Sequence, residues 1–154
     1  YETERRPVGA QLARNTLAQI AMMTSFDPAH LALRALMSDL LKVGELNRRL
    51  AGELSGFDIT YAHDALPGSD DPAAGRRSPD SRLVLEDGTE TTVHALLKEG
   101  KWLSLSFAEG KSARAPAWLP EAAVRRVRCQ SSDDLVRDAT SMLVRPDGYI
   151  AGFT

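Results

Sequence analysis

From Pro7 onward, apolar residues recur at Val8, Leu12, Thr16 or Leu17, Ile20 and Met23, one stripe of an amphipathic helix. Pro7 suits the first turn, where its missing N–H would have no partner anyway. Asp27-Pro28 then reads as an N-cap followed by a first-turn proline, and Leu33, Leu36, Leu40, Val43, Leu46 or Asn47, and Leu50 line a second helix that stops near Ser55-Gly56. Gly44 lies inside that helix, at a cost of about 1 kcal/mol against Ala, or else marks a close crossing. The short turn Ser25-Phe26-Asp27-Pro28 makes the two helices an antiparallel pair over residues 1–56.

The pattern then changes. Phe57-Asp58-Ile59-Thr60-Tyr61 alternates like a short strand, and His63 to Asp80 is rich in Pro, Gly, Asp, Ser and Arg without a period, so residues 57–79 read as a linker and domain boundary. From Asp80 the period is that of strands. Arg82-Leu83-Val84-Leu85 runs into the tight-turn pair Asp87-Gly88, and Glu90-Thr91-Thr92-Val93 leads into a short helix, His94 to Lys98. Trp102 to Phe107 alternates strictly. Pro116 to Ala123 holds a helical turn, Val124 to Cys129 is a further strand, and Ser132-Asp133-Asp134 caps a helix through Thr140. Met142 to Arg145 and Tyr149 to Phe153 flank Pro146-Asp147-Gly148 as a closing hairpin. The fold class is therefore α+β: a helix pair, then residues 80–154 as a small mixed sheet with flanking helices.

Composition narrows the function without naming it. With 154 residues, 43% hydrophobic and 26% charged, the chain can bury a core, and its net charge of -2 gives no electrostatic footprint for nucleic acid. No apolar run approaches the roughly 18 residues that span a bilayer, and the charged opening Tyr1 to Arg6 is no signal peptide, so the expectation is a soluble, cytoplasmic protein. Opening on Tyr1 rather than Met, it reads as a segment of a longer chain. Cys129 is the one cysteine, which excludes an intrachain disulfide and a Cys-x-x-Cys site, and it reads as a small buried hydrophobe. His30, His63 and His94 lie far apart without a second ligand at helical spacing, so no metal site is expected.

Three strings carry more together than apart. Tyr1-x-x-Glu4-Arg5-x-Pro7-Val8, then Gly75-Arg76-Arg77-Ser78-Pro79-Asp80, then Leu143-Val144-Arg145-Pro146-Asp147-Gly148-Tyr149 resemble, in this order, the class A FAD-dependent aromatic-ring hydroxylases, most closely the bacterial polyketide hydroxylases and more distantly phenol hydroxylase. The resemblance covers essentially the whole chain. It implies that the first string follows the last flavin-contacting helix, that the second opens a C-terminal thioredoxin-like domain, and that the third forms that domain's final hairpin. Gly152-Phe153 departs from the aromatic-basic pair with which the family often ends this hairpin. The family's Gly-x-Gly-x-x-Gly fingerprint and its other flavin and NADPH strings would lie upstream of Tyr1, and no Gly-x-Gly-x-x-Gly occurs here.

The resemblance thus implies a parent enzyme that uses FAD and NAD(P)H to hydroxylate an aromatic or polyketide substrate. This chain would be its structural C-terminal portion, with no catalytic, cofactor-binding or metal residues of its own, a missing FAD-binding domain as partner, and possible dimerisation. The alternative is a free-standing, redox-inactive thioredoxin-like interaction module. Among individual residues, Glu4 and Arg5 read as an N-terminal helix pair or as neighbours of flavin loops. Arg76 and Asp80 read as an ion pair or bare surface charges. Tyr61, Met22, Met23 and Met37 read as core or as the lining of an aromatic pocket. Asp87, Asp133 and Asp147 read as turn and cap residues.

Overall fold

The computed structural model describes residues 2–61, 71–107, 115–132 and 140–153. The chain divides into two units, Tyr1–Ile59 and Thr60–Thr154. The second unit therefore begins earlier than the period change at Asp80 suggests.

In the first unit, α1 spans Glu2–Thr24, α2 Pro28–Leu40 and α3 Gly44–Ser55. Three differences from the sequence reading have local causes. Pro7 is the sixth residue of α1 rather than part of its first turn, so it removes one interior hydrogen bond, to the Thr3 carbonyl. The expected second helix is two helices. Leu41, Lys42 and Val43 leave the helical path through tighter bonds, Lys42 N–H to the Asp39 carbonyl and Val43 N–H to the Leu40 carbonyl, and Gly44 opens α3. The Asn47 side chain donates to the Leu41 carbonyl at 3.2 Å, satisfying an end that α2 leaves open. Finally, Phe57 to Tyr61 is not a strand: Gly56 ends α3 in the left-handed conformation (φ 73°), and Asp58 N–H turns back to the Gly52 carbonyl. The Asp58 carboxylate occupies the space that a Cβ on Gly52 would take, so a larger residue there would have to displace the Asp58 side chain.

The second unit is a mixed sheet. Among the described residues its strands are β1 Arg82–Leu85, β2 Glu90–Thr92, β3 Trp102–Ser106, β4 Val124–Ser132, β5 Ser141–Val144 and β6 Ile150–Phe153, in the order β2-β1-β4-β3-β5-β6. Only β3 and β4 run parallel; every other neighbouring pair is antiparallel. A parallel pair extended by an antiparallel hairpin on β3 is the thioredoxin-like arrangement, and β1–β2 adds a second hairpin beyond β4. The two turns are those the sequence marks: Gly88 and Gly148 take φ of 82° and 85°, which only glycine adopts cheaply. Helix α4, Val93–Leu97, is capped by the Thr92 hydroxyl, which accepts from Ala95 N–H.

Alternation along β3 divides the sheet into two faces. Leu103 and Leu105 join Val127, Cys129, Met142 and Val144 with Val93, Leu96 and Leu97 of α4 in the main core. Opposite, Trp102 packs on Leu143 and Ala151, beside buried Ser104, Ser106 and Ser141. The 3-10 turn Glu121–Ala123 falls within the expected helical turn. Ser132 is the last residue of β4, where its backbone pairs with Leu83. The expected helix beyond it, Asp133 included, lies outside the described residues, as does His63.

The end of the expected linker is built into this unit. Gly75 N–H donates to the Ile150 carbonyl at 2.8 Å, Ile150 N–H to the Arg76 carbonyl at 2.9 Å and Ser78 N–H to the Gly148 carbonyl at 2.8 Å, while Arg77 bridges Tyr149. Residues 71–78 form a strap, and its residues 75–78 cover part of the edge that β6 would otherwise leave open.

Candidate functional site

The helical unit has its polarity reversed for a free-standing body. The half-buried positions of α1 include Glu4, Val8, Gln11, Asn15 and Met22, one helical line that is mostly polar. Gln11 donates to Asn15 along it. The apolar stripe of α1 instead faces water, with Leu12 63% and Met23 70% exposed, and Leu17 and Ile20 exposed too. On α2 the half-buried line is His30, Arg34 and Met37, while Leu31, Leu33, Leu36 and Leu40 are exposed. No residue of α1, α2 or α3 is fully buried. Exposed apolar side chains in this number mark an interaction site rather than the outside of a finished domain.

The residues singled out in the sequence resolve mostly into structural roles. Glu4 and Arg5 are half-buried on α1. Asp80 does not pair with Arg76. It accepts the His94 backbone N–H at 2.9 Å at the start of α4, while His94 Nε2 donates to the Ser78 carbonyl at 3.1 Å. His94 thereby ties the strap to α4, a link the sequence does not signal because its partners lie 14 and 16 residues away. Backbone donors hold three carboxyls below the ordinary 3.8: His30 N–H at Asp27, His94 N–H at Asp80 and Thr89 N–H at Asp87. These are cap and turn positions, and Asp147 likewise meets Arg145 across its turn at 3.0 Å.

Tyr61 and the methionines are not one group. Met22, Met23 and Met37 belong to the helical unit. Tyr61 is buried in the second unit, its ring 4.5 Å from that of Tyr149 and under the Arg145 guanidinium at 5.4 Å. Its backbone N–H donates to the Gly75 carbonyl, so the aromatic pair anchors the strap to the closing hairpin. Among the described residues no cluster of His, Cys, Asp and Glu could hold a metal, and no helix is long and apolar enough to cross a membrane.

Cys129 behaves as the sequence suggests. Burial in the main core pushes its thiol up to about 11 from 9.0. A group held protonated in the fold stabilises it fully below the unfolded value and loses that contribution as pH rises toward 11. The thiol is therefore expected to resist an aromatic disulfide reagent in the native protein and to react within minutes in denaturant. Equal rates in both states would show that the strand does not shield it.

Comparison with known proteins decides the family. The profile of the aromatic-ring hydroxylase C-terminal family matches residues 71–153. This chain belongs to that family. The match opens at Asp71, so the family takes in the strap as well as the sheet. The 12-dehydrotetracycline 5-monooxygenase/anhydrotetracycline 6-monooxygenase of Streptomyces rimosus is 42% identical over an alignment of 156 positions that covers 97% of this chain and 29% of that protein. The solved anhydrotetracycline hydroxylase OxyS from Streptomyces rimosus superposes with a TM-score of 0.78 at 35% identity, covering all of this chain and 31% of OxyS. CabE, an aromatic hydroxylase from angucycline biosynthesis, superposes at 0.77 with 33% identity, covering 98% of this chain and 31% of CabE. The chain spans about three tenths of the length of these family members. In them this stretch is a part of a larger enzyme and not a free-standing module.

Proposed function

We propose that this chain is the C-terminal portion of a flavin- and NAD(P)H-dependent monooxygenase that hydroxylates a polycyclic aromatic polyketide. The observation that carries the reading is the 42% identity to a tetracycline monooxygenase across essentially the whole chain, helical unit included. The chain's own residues do not fit a dinucleotide: it has no Gly-x-Gly-x-x-Gly, and the positive-φ glycines 56, 75, 88, 100 and 148 serve helix ends, turns and the strap rather than a phosphate cradle. FAD and the nicotinamide therefore bind the preceding part of the parent. When bound, the flavin supplies the oxygen activation that protein side chains cannot. This chain contributes surface: the apolar faces of α1, α2 and α3 pack against the preceding part.

The full-length protein should purify yellow with bound flavin, oxidise NAD(P)H faster when a fused-ring aromatic polyketide is added, and return that substrate with one more oxygen. This chain alone should take up no stoichiometric flavin. A colourless full-length protein, or a flavin complex of residues 1–154 by themselves, would refute the assignment.

A further inference from the structure

The turn between α1 and α2 presents an aromatic ring to solvent in an ordered setting. Phe26 is 72% exposed. The Arg34 guanidinium lies 4.9 Å from its ring centre, and Arg34 Nη2 donates to the Ser25 carbonyl at 2.7 Å, so the cation is fixed to the same turn. Asp27 fastens the other side: one carboxylate oxygen accepts the N–H groups of Ala29 and His30, and the second meets His30 Nδ1. Pro28 follows at the start of α2 and restricts the backbone further. A phenyl ring held in this way loses little conformational freedom on docking, which is the property of an interface anchor, as is the pairing of an aromatic with Arg.

We propose that Phe26, backed by Arg34, is the anchor that seats this helical unit in an apolar pocket on the preceding part of the parent enzyme. The pocket takes the ring's edge and the face that Arg34 leaves open, and its rim carries acceptor oxygens for the remaining guanidinium donors. The occupant follows from extent and charge. The chain covers 29% to 31% of its relatives, leaving about 70% of such a protein to supply the pocket, and Met23, Leu31 and Leu33 on the two helices that flank this turn are exposed as well. A second copy fits less well, because a two-fold contact centred on Phe26 brings two Arg34 cations together. The proposal rests on the reading that this chain is part of a longer monooxygenase.

The test uses the full-length protein with Phe26→Asp, Phe26→Leu and Leu36→Asp, read by thermal midpoint and by hydrogen exchange over residues 22–34. Phe26→Asp is expected to lower the midpoint by roughly 4 °C or more and to deprotect that segment, with Phe26→Leu recovering at least half of the loss. If Phe26→Asp is silent while Leu36→Asp destabilises, the anchor is wrong and the packing of the helical unit on the parent stands. If both are silent, the packing falls as well. Should Phe26→Asp fail to fold, Phe26→Ala decides: a lowered midpoint with faster exchange at residues 22–34 than in the wild type supports the anchor, and an unchanged midpoint and exchange overturn it.

Discussion

Leu105→Ala is expected to cost about 2–5 kcal/mol, a large share of the stability of a single small domain. Leu105 is fully buried on β3, between its cross-strand neighbours Val127 on β4 and Met142 on β5. With both flanking strands hydrogen-bonded in place, the backbone cannot collapse into the void, and the cavity term adds to the lost transfer energy. Urea unfolding followed by the fluorescence of Trp102, on the same strand, would report the loss as a shift in midpoint at unchanged slope. Leu12→Ala serves as the contrast. Its side chain is 63% exposed in this chain and its removal should change stability by less than about 0.5 kcal/mol here. A silent Leu105→Ala would mean that β3 is not the centre of the sheet.

A fragment starting at Asp80 should be several kcal/mol less stable than one starting at Thr60. The shorter piece loses the three backbone bonds that join Gly75, Arg76 and Ser78 to β6 and its turn, each worth about 1 kcal/mol net. It also loses the burial of Tyr61 against Tyr149 and of Ala74 and Ser78, and it leaves the edge of β6 open. Thermal unfolding of the two fragments measures the difference, and trypsin gives an independent reading. Arg76 and Arg77 are exposed side chains on a backbone that is tied to β6, so cleavage there should be slow in the native chain despite the basic pair. Equal stability of the two fragments, with rapid cutting at Arg77, would restore residues 57–79 to a linker.

The strap also shows where local reasoning stops. A strand reveals itself by alternation, but residues 71–78 are held through backbone groups, and backbone pairing leaves no mark on side-chain order. The bonds of Gly75 and Ser78 reach partners some 70 residues ahead, which no window of the sequence contains. Gly44 is a similar case. Its propensity cost is visible in the sequence, but not that it opens a new helix, where the Asn47 side chain donates to the Leu41 carbonyl.

The sequence by itself determined the elements whose causes are local: the cap at Asp27, the stop at Gly56, the Asp87-Gly88 and Asp147-Gly148 turns, the alternation of β3, and the three strings that point to the aromatic-ring hydroxylases. Periodicity also identified the stripes Leu12, Ile20, Met23 and Leu33, Leu36, Leu40 as apolar faces. It could not say what those faces meet. Only the tertiary structure decided that they remain exposed while Gln11, Asn15, His30 and Arg34 take the half-buried positions. The reason is physical: an amphipathic pattern records that a face is to be buried, whereas the surface that buries it is chosen by packing between elements distant in sequence, and for this helical unit the proposed covering surface belongs to the preceding part of a longer protein.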